Sequence, residues 1–145
     1  MIRILCVGKI KERYLNDLIQ DYKTRITKYH KIEIIELKDT NINNESNEIL
    51  GSINDKDFNI CMDINGKEYT SVELSNIIDN AFTNGYGTIT FIIGGSDGIN
   101  ENVKKKCDLR LSFSKLTFPH GLFRGILLEQ IYRSFKILNN ESYHK

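Results

Sequence analysis

Hydrophobic positions along the chain fall into two kinds of pattern. Ile2–Val7, Ile32–Leu37 and residues 58–62 and 88–93 are short, nearly continuous apolar runs bounded by turn-forming residues; a weaker fifth run covers 109–113. Runs of this length with little alternation predict strands buried on both faces, as in a parallel sheet. Between them the period changes. Leu15, Leu18, Ile19, Tyr22, Ile26 and Tyr29 lie on one face of a helix, and Val72, Leu74, Ile77, Ile78 and Phe82 mark a second helix over 71–82. A short third helix is expected from Asn100, as its cap, to about Cys107, and a last one over 122–138. Residues 41–54 are polar and weakly patterned, and read as a loop or a short exposed helix.

Strands alternating with helices predict an α/β domain of three layers around a parallel sheet. Ligands in such sheets bind beyond the carboxyl ends of the strands. That rule points to Gly8 and Lys9, to residues 63–66, to the glycine run 94–98 and to the segment after Phe113. In the last helix Ile126, Leu127, Leu128, Ile131, Tyr132, Phe135, Ile137 and Leu138 cover more than one stripe. Such a helix needs two partners: its own sheet and a second subunit, or else full burial in its own core.

Composition narrows the picture. The chain has 145 residues, read as one domain over 1–145; 40% are apolar and 27% charged. A net charge of +1 gives no global basic field, so an RNA partner would have to meet local charge or a surface shared with a second subunit. The three cysteines are odd in number and form no CxxC pair, and Cys6 and Cys61 sit inside apolar runs. Free, buried thiols in a reducing cytosol are expected, with no metal site. Met1 to Gly8 is too short for a signal core, and no run reaches the roughly 20 residues that span a membrane.

Four segments are candidates for chemistry. Residues 92–98, Ile-Ile-Gly-Gly-Ser-Asp-Gly, follow a strand and are either a tight turn or a place where backbone approaches a ligand closely. They form neither a Walker A loop nor a dinucleotide fingerprint. Residues 111–120, Leu-Ser-Phe-Ser-Lys-Leu-Thr-Phe-Pro-His, hold the single proline and set hydroxyls among large apolar side chains. A loop of that composition is expected to tuck into the fold, where its amides need partners and a ligand is one candidate. His120 reads first as a satisfied helix-start histidine. The tail Tyr143-His144-Lys145 is a frayed end or an RNA contact. Arg3, Lys9, Lys11, Arg13, Arg124, Arg133 and Lys136 are ordinary solvated charges or a local basic surface.

These segments together resemble the RlmH family, the small SPOUT-type methyltransferases that act on a pseudouridine of large-subunit ribosomal RNA. The matching pieces are residues 4–9, 93–99, 111–120, Arg124 with 128–133, and 143–145. The resemblance spans the whole chain in order and is densest in the C-terminal half. It implies a SPOUT fold with a C-terminal trefoil knot, S-adenosylmethionine as cofactor, a homodimer, the ribosome as partner and a cytoplasmic location. It implies a cofactor site made of Met62, Gly94, Gly95, Phe113, Ser114, Lys115, Leu116, Thr117 and Phe118. The last helix would lie in the dimer interface. Met62 stands where the family commonly has leucine, and Gly125 where it has an aliphatic residue.

The family's reaction methylates N3 of pseudouridine, an imide nitrogen whose proton must leave, so a base or a cation beside the ring is needed. Candidates are His144 as proton acceptor, Arg124 or Lys145 as the cation, and Tyr143 as a stacking partner. Other readings are a ribosome- or RNA-binding protein without activity and a SPOUT enzyme with a different RNA target. A receiver-type signalling module would use Asp63 as phosphoacceptor, but Gly8 and Lys9 stand where its acidic pair belongs.

Overall fold

A computed structural model of the chain describes residues 1–145. In chain order the elements are β1 (Ile2–Val7), α1 (Arg13–Ile26), β2 (Ile32–Leu37), α2 (Ile42–Ser52), β3 (Phe58–Glu68), α3 (Ser71–Thr83), β4 (Ile89–Ile93), α4 (Glu101–Lys106), β5 (Leu109–Ser112) and α5 (His120–Leu138). The five strands form one parallel sheet in the order β2-β1-β4-β3-β5. A receiver fold has strand order 2-1-3-4-5. Here β4 separates β1 from β3, so the Asp63 phosphoacceptor reading falls with the topology.

Side-chain alternation along each strand divides the core in two. Ile2, Ile4 and Cys6 of β1, with Ile60, Phe91 and Leu111, pack against Leu15 and Ile19 of α1, Leu74 and Ile78 of α3, and Leu127, Leu128 and Ile131 of α5. Leu5 and Val7, with Cys61 and Ile92, meet Ile49 of α2 and Val103 of α4 on the other face. The result is the three-layer arrangement, with both sheet faces buried as the continuous apolar runs required.

Two expectations need correction, and a third is met in part. Residues 41–54 hold α2, and it is not an exposed helix: Asn41 caps it by accepting a hydrogen bond from the Asn44 amide, and Ile49, Glu45 and Ser46 are buried. The third strand does not stop at Met62. After a bulge it pairs with β5 again, Lys67 opposite Leu111 and Glu68 opposite Ser112, which carries residues 63–68 along the sheet edge. The two-sided apolar pattern of α5 is met within the chain only in part: α5 lies between α1 and α3, which buries Leu127, Leu128, Ile131 and Phe135, while Ile126, Ile137 and Leu138 stay partly exposed. α1 and α5 approach closely at Gly125, where a Cβ would stand 2.7 Å from Leu18 Cδ2.

Candidate active site

Strands β4 and β5 end on either side of β3 where β3 bulges after Met62, and a cleft opens there. Its floor is Met62 and Asp63 from β3, Ile93 and Gly94 from the end of β4, and Leu111 and Ser112 from β5. The chain leaving β5 folds over this floor before entering α5. Phe113 and Phe118 of that loop pack on Phe123, with ring centroids 5.5 and 6.0 Å apart, so three aromatic rings form one wall. The loop's hydroxyls hold its own backbone: Ser112 Oγ donates to the Ser114 carbonyl at 3.0 Å, and the Leu116 amide donates to Ser114 Oγ at 3.0 Å. The loop is tucked in only at its ends: Phe113 and Phe118 are half-buried, whereas Lys115, Leu116 and Thr117 are exposed, Leu116 by 72%, so the expected burial of the whole loop is corrected.

The glycine run forms the opposite lip. The Gly98 amide donates to the Gly95 carbonyl at 3.0 Å and closes a tight turn. A Cβ on Gly94 would meet Gly98 O and Ile99 at 2.6 Å, so only glycine fits there. Both readings of the segment apply together, since Gly94, Gly95 and Gly98 close the turn and also line the cleft.

Of the nine residues expected at the cofactor site, the structure gathers eight in this cleft: Met62, Gly94, Gly95, Phe113, Ser114, Leu116, Thr117 and Phe118. Lys115 is the exception. It is exposed and faces a neighbouring hollow with Ile64, Asn65, Gly66 and Glu68. Asp63 lies in the segment 63–66 that the strand-end rule had marked out; Ile99, His120 and Phe123 were not assigned to a ligand and are brought into the cleft by tertiary packing.

Two titratable side chains line the cleft. His120, the first residue of α5, places Nε2 2.6 Å from the Val7 carbonyl and so ties the helix start to β1. Asp63 is buried; its Oδ2 lies 3.3 Å from Lys104 Nζ and its Oδ1 accepts from the Asn65 amide at 3.0 Å. The cleft is otherwise apolar with few polar groups, the make-up of a pocket that holds a flat heteroaromatic group by its faces and orients it by a few hydrogen bonds.

The four residues expected to act on the substrate, Arg124, Tyr143, His144 and Lys145, are not in the cleft. Arg124 is 2% exposed, with Nη1 2.6 Å from Glu36 Oε2 and Nη2 3.0 Å from the Gly8 carbonyl. It is a buried clamp, not a cation free to face a ligand, which corrects its proposed role beside an anionic ring. Tyr143 and His144 are docked on α5 rather than frayed. The Tyr143 hydroxyl donates to Glu129 at 3.2 Å, and its ring sits edge-on to Tyr132 at 5.0 Å and under the Arg133 guanidinium at 4.8 Å. Burial raises the Tyr143 phenol above its ordinary value. Arg133 Nη1 donates to His144 Nδ1 at 3.1 Å. Of the basic residues singled out, Arg3, Arg124, Arg133 and Lys136 are paired with carboxylates, Arg13 makes only a loose, exposed pair with Asp17 at 3.9 Å, and Lys9 and Lys11 stand exposed near the end of β1.

The fold is shared with solved structures. A tRNA methyltransferase from Aquifex aeolicus aligns over 91% of this chain and 69% of its own, with 16% identity and a TM-score of 0.53. A methylase-family protein from Haemophilus influenzae aligns over 96% and 66%, with 13% identity and a TM-score of 0.55. The family model described as "Predicted SPOUT methyltransferase" matches residues 1–144. Relatives named ribosomal RNA large subunit methyltransferase H are similar over their full length. One from Clostridium botulinum is 48% identical over 157 aligned positions and one from Fusobacterium nucleatum 47% over 153, each covering 99% of both chains. The chain belongs to the SPOUT methyltransferases and, within them, to the RlmH family. No helix is long and apolar enough to cross a membrane.

Proposed function

We propose that this chain transfers the methyl group of S-adenosylmethionine to N3 of a pseudouridine in large-subunit ribosomal RNA, acting as a cytoplasmic homodimer on the assembled ribosome. The observation that carries the reading is the cleft: a glycine turn and an aromatic, hydroxyl-bearing loop face each other over the carboxyl ends of β4 and β5 and the bulge of β3 between them. Those residues fit an adenosyl group. Phe113, Phe118, Leu111 and Ile99 offer apolar walls to a purine, and Asp63 and the glycine backbone offer polar contacts. When bound, S-adenosylmethionine supplies an electrophilic methyl on a sulfonium. In this reading the C-terminal part forms a trefoil knot, and the loop 113–118 closes over the cofactor.

The chain's own contribution is mainly alignment. Holding two reactants in line provides about 7–11 kcal/mol of the barrier reduction, and a water-poor cleft keeps that alignment. No carboxylate pair or triad is present to remove the imide proton, so the tail residues Tyr143, His144 and Lys145 remain the groups that meet the acceptor ring. Their docked position limits how. Arg133 donates to His144 Nδ1, so a neutral His144 carries its proton on Nε2 and has no free acceptor. His144 takes up the acceptor proton only after leaving Arg133. The cleft of the same chain contains no tail residue, so the tail serves the cleft of a second copy, which gives the homodimer its function.

The test is incubation of the protein and labelled S-adenosylmethionine with ribosomes from a strain lacking this gene, followed by mapping of the labelled nucleotide. One methyl per large subunit, on N3 of a pseudouridine, is expected. Label elsewhere in RNA would reassign the target, and no label would leave a binding protein.

A further inference from the structure

We propose that Asp63 is the ribose anchor of the cleft, its carboxylate accepting the two ribose hydroxyls of the adenosyl donor; this rests on the function proposed above. The argument starts from the acceptors available. Ser112 Oγ and Ser114 Oγ are each a single hydroxyl already holding a loop hydrogen bond, and His120 gives its Nε2 proton to the Val7 carbonyl and keeps only Nδ1 as an acceptor, so none of these side chains offers two adjacent acceptors to a diol. Thr117 is exposed at the rim. Asp63 is the one carboxylate lining the cleft, and its side chain is 5% exposed.

An ionised carboxylate offers about four lone-pair sites on two oxygens. Lys104 occupies one site on Oδ2 and the Asn65 amide one on Oδ1. Each oxygen keeps capacity for a further donor, and two adjacent oxygens match the spacing of a vicinal diol.

Charge decides which part of the donor belongs there. Burying a carboxylate is costly unless a partner compensates it. Lys104, with its side chain 15% exposed, supplies that partner from the last turn of α4. The pair carries no net charge. A sulfonium or an ammonium placed against it would leave an excess positive charge in an apolar cleft, whereas neutral hydroxyls add hydrogen bonds and no charge. Acidic groups in other α/β nucleotide sites take ribose hydroxyls in the same way. Lys104 is then a positioning residue, holding the Asp63 carboxylate oriented.

The experiment measures equilibrium binding of two neutral-sulfur probes, S-adenosylhomocysteine and its 2′,3′-dideoxy counterpart, to the wild type, Asp63→Asn and Asp63→Ala. Hydrogen bonds to a charged group predict that the wild type prefers the diol by about tenfold to a hundredfold. Asp63→Ala should bind both probes alike, at the wild type's affinity for the dideoxy probe. Asp63→Asn, which keeps the shape and one acceptor, should keep part of the preference. A preference unchanged in both variants overturns the proposal. So does an equal loss for both probes, which would show that Asp63 only holds Lys104 and the turn at Asn65. If the wild type binds neither probe, the cofactor assignment itself fails, an outcome distinct from the other two.

Discussion

Arg124 Nη1 stands 2.6 Å from Glu36 Oε2, across 88 residues of sequence, and the same guanidinium reaches the Gly8 carbonyl. One side chain thereby fastens the start of α5 to the ends of β1 and β2, beside the cleft. Replacing it with methionine keeps the apolar stem but strands Gly8 O. A loss of about 2 kcal/mol is expected, read as a lower urea midpoint. Glu36→Gln should cost less than about 1 kcal/mol, because the Glu36 side chain is 37% exposed and water screens its half of the pair.

Removal of Tyr143, His144 and Lys145 should reduce methyl transfer by about a hundredfold or more, the scale of a lost general base, with cofactor affinity unchanged. Radiolabel transfer and calorimetry read the two effects separately. Full transfer by the truncated chain would remove the tail from the mechanism.

A tail that serves the other copy's cleft makes a second expectation. Truncated protomers mixed with protomers whose cleft is blocked should regain activity, since a hybrid dimer pairs one intact cleft with one intact tail. Hybrids as inactive as their parents would place tail and cleft in the same chain.

His30 gives the fold an acid-side sensitivity. Its ring is stacked on Phe82, with centroids 4.2 Å apart, and against Phe135 at 5.4 Å; burial lowers its pKa below the ordinary 6.5. The unfolded chain therefore holds the proton at a higher pH than the folded one. Stability from this site is fully present above about pH 6.5 and is lost as pH falls through the lower folded value. Thermal unfolding between pH 7.5 and 5 should show this decline, and His30→Phe should lessen it.

Elements with strong periods were legible in the sequence: β1, β2 and α1 needed no tertiary information beyond their own apolar pattern. α2 was not, because its buried face includes Glu45 and Ser46, whose burial depends on neighbours such as the Thr40 amide that Glu45 accepts from. The extension of β3 past Met62 was hidden for a similar reason: its pairing to β5 follows a bulge, and residues 64–68 are mostly polar. In the site, the loop 113–118 announced itself by hydroxyls among aromatics around a single proline. His120 and Phe123 did not, since they enter the cleft only because α5 begins there. The docking of Tyr143 and His144 on Glu129 and Arg133 joins residues more than ten positions apart through side chains alone, which no local pattern records.

The most direct test of the central claim is equilibrium binding of S-adenosylmethionine to the wild type and to Thr117→Trp. Thr117 is exposed on the cleft rim, so the larger ring should fill the cleft without disturbing the core. Saturable one-site binding by the wild type, abolished in a variant of unchanged unfolding temperature, is the expected result. No binding by the wild type, or equal binding by both proteins, would place the cofactor somewhere other than between Gly94 and the loop 113–118.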